Sequence, residues 1–334
     1  MIKKSFLLIL LLSLMSMLAV FAQGGSEAAP SDGGFAPTKE IEWIVTSSPG
    51  GGSDIYTRMI SDIMAREGLV TKTFLVNNKT DGGGEVGRLQ VSQTRAGTQA
   101  NHTLLTFNSG DLMPMCLNTN NRIENFTPLA VMAVDKQLLF VTPEGKYQTF
   151  QAAIDAAKGG TQIVIAGSKG DDIATYEALI AELGVSENQM AFITHSSTGD
   201  AITAGLGNHV DIVLSKPAAA AQYVLAGKLI PVLALSTERY DSAELASAPT
   251  LSEIGPYKDV EVPVWRGVVG PKSMTPEAAD FWSAMLEKVS QSDAWQTDYI
   301  QKNGLISQFM NRETATKFMT DYQADYLKKI GKAN

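Results

Sequence analysis

The sequence predicts an α/β fold divided into two lobes. After Glu40, short apolar segments with β-branched residues alternate with helical patterns along most of the chain. This alternation is typical of βαβ units, in which mostly parallel sheets carry helices on both faces. A length of 334 residues favours two lobes over one, because a domain averages about 150 residues. The composition, 44% hydrophobic and 19% charged, allows a sizeable core and excludes disordered and collagen-like chains.

Strands are predicted where β-branched and apolar residues form short runs bounded by polar or glycine-rich segments. Most of these runs are followed by a helical pattern, which places the predicted strands in βαβ order. The predicted strands are 41–46, 73–76, 103–107, 129–134, 138–142, 162–166, 190–194, 210–214, 229–235 and 262–269.

Helices are predicted from apolar spacing and from signals at their ends. In segment 54–66, Ile55, Met59 and Ile63 recur at four-residue spacing and form one apolar face. The helix at 217–226 begins with proline and is followed by glycine, the usual asymmetry of helix ends. Two longer amphipathic segments close the chain and are also predicted to be helical. These segments are 276–302 and 312–329.

The first residues have the layout of a secretory signal peptide. Two lysines precede an apolar run over 6–21, and the small residue Ala22 follows it. The run of about 16 residues is shorter than the roughly 20 needed to span the hydrocarbon core of a bilayer. We therefore predict that residues 1–22 are a cleaved signal peptide and that the protein is periplasmic. The segment 23–39, rich in Gly, Ser, Ala and Pro, is predicted to be a flexible tether outside the fold.

The charge balance and the single cysteine narrow the partner classes. The formal net charge is −8, and loss of Lys3 and Lys4 with the signal peptide leaves 25 basic against 35 acidic residues, a charge of −10. An acidic chain without clustered lysine and arginine argues against nucleic acid as a partner. Cys116 lies far from the cleavage region, so no cysteine there can carry a lipid anchor. No later segment is apolar enough to span a bilayer, so the mature chain is predicted not to cross the membrane.

The segment between the strand at 41–46 and the helix at 54–66 has the composition of an anion cradle. Three consecutive glycines leave the turn without Cβ atoms, so backbone N–H groups can approach a ligand closely. The helix N-terminus behind the turn carries about half a positive charge. Ligands of open α/β sheets bind beyond the carboxyl ends of strands, and this turn lies at such an end. The alternative interpretation is a tight turn that binds no ligand. The predicted binding residues are Ser48, Pro49, Gly50, Gly51, Gly52, Ser53 and Asp54.

Two serine-rich turns in the second half of the chain follow the strands at 162–166 and 190–194. Each contains Ser-x-x-Asp, the spacing of a capping box, so the acids are interpreted first as helix caps and the hydroxyls as candidate ligand contacts. If each half of the chain forms one lobe, these turns face the glycine-rich turn across a cleft and can enclose a small molecule. The candidates are Ser168, Asp171, Ser196, Ser197, Thr198, Gly199 and Asp200, with Asn108 at the end of the strand at 103–107.

Catalysis is not predicted. The chain has three histidines and lacks the H-E-x-x-H, C-x-x-C and G-x-S-x-G motifs. His195 is interpreted as a structural residue or a ligand contact.

The turn at Gly82, Gly84 and Gly87 matches the G-x-G-x-x-G pattern of dinucleotide sites, but it follows the second strand instead of the first. An α/β oxidoreductase with a dinucleotide at 82–87 is the alternative function; the leading interpretation involves no cofactor and no metal.

Arg266 lies inside the apolar strand predicted at 262–269. A buried guanidinium without a partner is costly, so a carboxylate partner is expected. That carboxylate belongs either to an internal Asp or Glu or to a bound ligand. Arg266 is therefore kept among the candidate ligand-binding residues.

Six segments, taken in order, resemble the solute-binding proteins of tripartite tricarboxylate transporters, the Bug family. No single segment is decisive, but together they extend over nearly everything after Glu40. The segments are PGGGSD at 49–54, NNKTDGGGEVG at 77–87, GSKGDDIA at 167–174, AGKLIPVLALSTER at 226–239, SAPTLSEIG at 247–255 and VWRGVVGP at 264–271.

The resemblance implies a two-lobed periplasmic binding protein, similar to type II, with the ligand cleft between the lobes. It implies a receptor that captures a small di- or tricarboxylate and delivers it to membrane permease subunits. Members of that family hold a ligand carboxylate through backbone N–H groups and ordered waters on two facing loops, which correspond here to 48–54 and 196–200. Thr194 and His195 depart from the lysine and aromatic residue that many relatives have before the second loop. The expected lobes are 40–136 plus 254–334, and 137–253.

Overall fold

The folded part of the chain begins at an earlier residue than the sequence predicts. The computed structural model describes residues 34–332, so the predicted signal peptide and residues 23–33 of the predicted tether lie outside the described residues. The Phe35 ring packs edge-on against His102, with ring centroids 5.4 Å apart. The Thr38 N–H donates to Nε2 of the same histidine at 2.9 Å. The chain therefore contacts the fold from Phe35 onward, and the predicted tether extends too far.

The first of two mixed sheets has six strands, numbered in chain order over both sheets. They are β1 (Ile41–Val45), β2 (Phe74–Asn78), β3 (Thr103–Asn108), β4 (Phe126–Asp135), β10 (Val264–Pro271) and β11 (Ile306–Met310). Their order across the sheet is β11-β4-β10-β3-β1-β2. β1 pairs in parallel with β2 and β3, whereas β10 lies antiparallel between β3 and β4 and β11 is antiparallel to β4. Strands β1 to β4 therefore share one direction.

The second sheet has five strands and the same mixed character. They are β5 (Gln137–Val141), β6 (Ile163–Gly167), β7 (Met190–Thr194), β8 (Ile212–Ser215) and β9 (Ile230–Leu235), in the order β7-β6-β8-β5-β9. β6 is parallel to β7 and β8, and β5 lies antiparallel between β8 and β9. The predicted α/β fold with mostly parallel strand directions is confirmed, and the reversed strands are β5, β10 and β11.

The chain passes between the two sheets twice, and the two passages lie side by side. β4 ends at Asp135 and β5 begins at Gln137, so Lys136 forms the first passage. The second passage lies between Leu235 and Val264. Because Val264 pairs with Asp135 across the β10–β4 ladder, the returning strand is anchored beside the departing one. Adjacent passages of this kind are suited to a hinge.

Helices cover both sheets. The helices are α1 (Gly52–Arg66), α2 (Glu85–Ser92), α3 (Thr98–Asn101), α4 (Ser109–Asn118), α5 (Phe150–Lys158), α6 (Asp171–Leu183), α7 (Thr198–Leu206), α8 (Pro217–Leu225), α9 (Leu251–Ile254), α10 (Pro276–Gln291) and α11 (Arg312–Lys329). Across residues 34–332, none of the helices has both the length and the apolar character needed to cross a bilayer.

The predicted helix at 276–302 is interrupted at Ser292 and is helical on both sides of the break. α10 ends at Gln291, and Ser292 adopts an extended conformation with φ −71° and ψ 145°. The Ser292 Oγ accepts a hydrogen bond from the Trp295 N–H at 3.2 Å. This bond starts a second helical segment, a π-helix over Trp295–Ile300. The chain then forms β11, an edge strand that the sequence did not indicate because its exposed residues lack an apolar pattern.

Apolar side chains at successive strand positions pack on opposite faces of each sheet. In β1, Trp43 belongs to the cluster on one face and Ile44 to the cluster on the other. In β5, Leu139 and Phe140 divide in the same way. Trp282 of α10 is fully buried in the first of these clusters, and its Nε1–H donates to the Asn101 carbonyl at 2.9 Å.

Trp282→Ala is expected to lower the free energy of unfolding by about 3–5 kcal/mol, because it removes a large buried ring and leaves a cavity. Urea denaturation followed by circular dichroism measures the change. The control is Leu225→Ala, at a position that is 63% exposed, which should alter stability by less than about 0.5 kcal/mol. A similar small effect for both variants would contradict the assigned core.

Candidate functional site

A polar cavity lies where strands of both sheets end. Its volume is about 40 Å³, room for about three water molecules. The residues that line this polar cavity are Thr46, Ser47, Gly52, Ser53, Asn108, Gly110, Asp111, Ser168, Lys169, Asp171, Thr198, Lys216, Val264 and Arg266. Because the lining draws on both sheets, the polar cavity belongs to the interface between the lobes.

Four helices begin at this cavity. Gly52 of α1 and Gly110 of α4 reach it from the first sheet, and Asp171 of α6 and Thr198 of α7 reach it from the second. The first N–H groups of a helix have no partner within the helix, and they carry the positive end of its dipole. Four such ends meeting at one small cavity create a local field that favours an anion.

Asp54 shapes the first glycine-rich loop from within. Its carboxylate accepts a hydrogen bond from the Gly50 N–H at 2.9 Å, and Gly50 has a φ of +78°. Arg58 and Asn78 also bond to this carboxylate, at 3.0 Å each. Burial raises the pKa of Asp54, but these three hydrogen bonds outweigh it and hold the pKa below its usual value. The residue fixes the loop, and its side chain does not line the cavity.

The two predicted loops touch each other through backbone atoms. A Cβ on Gly51 would lie 2.9 Å from the Cβ of Ser197, and a Cβ on Gly199 would lie 3.1 Å from the Gly50 carbonyl oxygen. These distances are shorter than ordinary contacts between carbon side chains and their neighbours. The lobes can therefore meet this closely only because three of the four positions are glycine.

The helix caps in the second lobe differ from the predicted pair. Ser197 caps α7 as expected, since its Oγ accepts from the Asp200 N–H at 3.1 Å. The predicted pairing of Ser168 with Asp171 is wrong, because the Ser168 N–H donates to Asp172 at 2.6 Å. The capping carboxylate is that of Asp172, one residue further along the helix, and Asp171 stays at the cavity wall.

Asn108 joins the two helices that reach the cavity from the first sheet. Its Oδ1 accepts from the Asp111 N–H at 3.1 Å, which caps α4. Its Nδ2 donates to the Ser53 Oγ at 2.9 Å, which ties α4 to the start of α1. Asn108 and Ser53 thus lie at the cavity as predicted, with their mutual hydrogen bond setting their orientation.

Two of the three cations at the cavity are already paired. Arg266 forms a buried ion pair with Asp135, so its carboxylate partner is an internal one, the first of the two alternatives that the sequence left open. A Cβ on Gly52 would lie 2.9 Å from Arg266 Nη2, which places the guanidinium directly beneath the start of α1. Lys216 lies 3.1 Å from Asp171 and also pairs with Asp172.

Lys169 is the third cation and differs from the other two. Within residues 34–332 it has no ion-pair partner. Its Nζ instead donates to the carbonyl oxygens of Thr46 at 2.9 Å and Gly83 at 2.5 Å, across the lobe interface. Burial lowers the pKa of Lys169 to about 8. A carbonyl oxygen accepts the hydrogen bond without cancelling the charge, so this ammonium is available to an anion.

The glycine turn of the dinucleotide alternative has no open cradle. It follows β2, at the edge of the first sheet. A Cβ on Gly84 would lie 2.5 Å from the Lys169 ammonium and 3.1 Å from Arg88 Nη1. Because Gly84 has no side chain, two of the protein's own cations fit beside it. They fill the space that a pyrophosphate would need.

The structure brings about half of the predicted site residues to the polar cavity. His195, whose Nε2 is buried without a hydrogen-bond partner, is not in its lining. Those that line it are Gly52, Ser53, Asn108, Ser168, Asp171, Thr198 and Arg266. Those outside its lining are Ser48, Pro49, Gly50, Gly51, Ser196 and Ser197 on the adjoining loops, with Asp54, Gly199 and Asp200 in the first turns of α1 and α7. Lining residues that the sequence prediction missed are Thr46, Ser47, Gly110, Asp111, Lys169, Lys216 and Val264.

Comparison with known proteins places this fold and chain among transporter receptors. The protein BugT of Bordetella pertussis is 23% identical over 288 residues, which cover 84% of this chain and 85% of BugT. The solved structure of the periplasmic binding protein BugD has a TM-score of 0.77 at 21% identity, covering 89% of this chain and 99% of that one. MatC from Rhodopseudomonas palustris, solved with bound malate, has a TM-score of 0.75 at 18% identity, covering 88% and 98%.

The family profile described as tripartite tricarboxylate transporter family receptor matches residues 57–334. That match begins after the first glycine-rich loop and includes every other loop at the polar cavity. Since it extends over most of the sequence, the two-lobed chain described here belongs to the tripartite tricarboxylate transporter receptor family.

Proposed function

We propose that this receptor captures a small carboxylate, a di- or tricarboxylate, and delivers it to the permease subunits of a tripartite tricarboxylate transporter. The observation that carries the proposal is the meeting of four helix N-termini and one unpaired ammonium at a single polar cavity between the lobes. The malate bound to the related MatC supports the same class of ligand.

The bound carboxylate would be stabilised both by the positive ends of the helix dipoles and by the charge of Lys169. The N–H groups of Gly52, Ser53 and Thr198 are candidates to donate to it, with the Ser47 hydroxyl, which is buried without a partner. Hydrogen bonds to an ionised carboxylate contribute about 1.5–3 kcal/mol each. Asp171 faces the cavity with Lys216 at 3.1 Å, and Lys216 also pairs with Asp172, so this cluster contributes no positive charge to the cavity.

The remaining features of the proposal concern location and division. The N-terminal segment 1–22 would direct export, which places the receptor in the periplasm beside its permease. The lobes would comprise 40–136 plus 254–334, and 137–253, in keeping with the two sheets. Membership of a receptor family favours binding over catalysis, and the occupied space beside Gly84 weighs against the oxidoreductase alternative.

A small carboxylate should stabilise the purified mature protein without any cofactor. At a concentration of one hundred times Kd the free energy of unfolding should rise by about 2.7 kcal/mol. A thermal-shift screen of dicarboxylates, tricarboxylates, amino acids and aromatic acids measures the effect. Unchanged melting temperatures across all four classes would overturn the proposed ligand class, and stabilisation by NADH alone would favour the oxidoreductase.

Gly51→Ala should weaken binding by at least about tenfold, because its methyl group would lie 2.9 Å from the Cβ of Ser197 and hold the lobes apart. Calorimetric titration with the best acid from the screen measures the loss. Leu225→Ala, at an exposed position outside both loops, is the control. Equal affinity of the two variants would show that the approach of the loops is not required.

Ligand-free closure should depend on pH through Lys169. Its pKa is about 8 in this closed arrangement and would approach the ordinary 10.5 in an open one. Between these values the closed form binds fewer protons, so raising the pH favours closure. The radius of gyration from small-angle scattering should therefore fall from about pH 7 to about pH 10. Lys169→Met should lack this fall, and superimposable profiles for both proteins would refute the assignment.

A further inference from the structure

A larger cavity lies next to the polar cavity and shares Lys169 with it. Its volume is about 410 Å³, against about 40 Å³ for the polar cavity. Ligand pockets for small molecules usually measure about 300–1,000 Å³. The polar cavity has room for a carboxylate group, whereas the rest of a dicarboxylate needs more space; the larger cavity, which meets the polar cavity at Lys169, is the candidate for that space.

The walls of the larger cavity are mainly apolar, and we refer to it as the apolar chamber. α4 of the first lobe supplies one wall, α6 of the second lobe faces it, and the end of α11 closes the side. Since both lobes contribute, the chamber is complete only when the lobes are together. The apolar wall residues are Met113, Pro114, Leu117, Ile173, Tyr326 and Ile330.

Charged groups around the apolar chamber are paired or exposed, apart from Lys169. Arg88 bonds to Glu85 at 2.8 Å and to Asp111 at 2.9 Å. Glu177 and Lys329 are exposed to solvent. The Lys169 ammonium, held by the carbonyl oxygens of Thr46 and Gly83, is therefore the cation at the boundary between the polar cavity and the chamber.

We propose that the apolar chamber holds the hydrocarbon body of the ligand, whose carboxylate lies at the polar cavity and pairs with Lys169. This inference rests on the proposed function and narrows it. The receptor would select acids with an unsubstituted chain or ring, and it would reject hydroxylated tricarboxylates such as citrate, because their polar groups would lose water against Met113, Leu117 and Ile173 without gaining partners.

Calorimetric titration of the mature protein with succinate, adipate, suberate and citrate tests the selectivity. Affinity should rise by up to about fourfold for each methylene group that enters the chamber, and citrate should bind more weakly than adipate. Lys169→Met should weaken all the acids by at least about tenfold, because each loses the same charged partner.

Two variants test the chamber itself. Ala174→Trp, on the α6 wall, should fill it and weaken suberate by at least about tenfold while leaving succinate within about twofold. Leu117→Asp changes a wall residue that is already 46% exposed, and it should reverse the preference for longer chains. Leu225→Trp, at an exposed position outside the lining, is the control and should change neither affinity. Melting followed by circular dichroism checks that each variant is folded.

The possible outcomes separate this inference from the proposed function. If citrate binds more tightly than adipate and suberate, or if Leu117→Asp leaves the order of affinities unchanged, the apolar chamber is not a ligand subsite and the carboxylate receptor stands. If Ala174→Trp also abolishes succinate binding, the tryptophan blocks lobe closure. The effect of Leu117→Asp on the order of affinities then decides whether the chamber is a ligand subsite. If no acid binds to the unmodified protein, the proposed function fails together with the inference.

Discussion

The close approach of backbone atoms across the lobe interface is the constraint on which the rest of the site depends. Gly51 meets Ser197, and Gly170 comes so near to Gly110 that a Cβ on Gly170 would lie 2.6 Å from its Cα. Contacts this short keep the polar cavity small and bring helix ends from both lobes to its walls. Any side chain at these glycines would separate the lobes and weaken the combined field of the helix ends, which falls off within the first turn of each helix.

A chain with a net charge of −8 can still attract an anion where helix ends and cations meet locally, as they do at this cavity. Arg266 is matched by Asp135, whereas Lys216 contacts two carboxylates, those of Asp171 and Asp172. Besides these groups, the N-termini of four helices and the ammonium of Lys169, which has no carboxylate partner within residues 34–332, lie at the cavity. At separations of a few ångströms, in surroundings less polar than water, these groups outweigh distant surface carboxylates that solvent and salt screen.

Local features of the fold could be predicted from the sequence, whereas features that depend on lobe closure could not. The helix at 312–329 and the strand at 190–194 were predicted within their observed bounds because their patterns are local. β11 was missed because an exposed edge strand needs no apolar alternation. Lys169 was not among the predicted binding residues, because its role depends on Thr46 and Gly83, which are distant in sequence and meet it only across the interface.

Lys169 could be regarded as a purely structural bridge between the lobes, but its surroundings argue for a partner of opposite charge. Two carbonyl oxygens satisfy part of its hydrogen-bonding capacity and leave the positive charge uncancelled, so burial still lowers its pKa to about 8. A bridge selected for stability alone would gain more from a carboxylate partner, as Lys216 has. Closure without an anion therefore buries a charge at a cost, and closure around a carboxylate removes that cost. The same ammonium thereby links the presence of ligand to the closed form, because the ligand binds that form better than the open one.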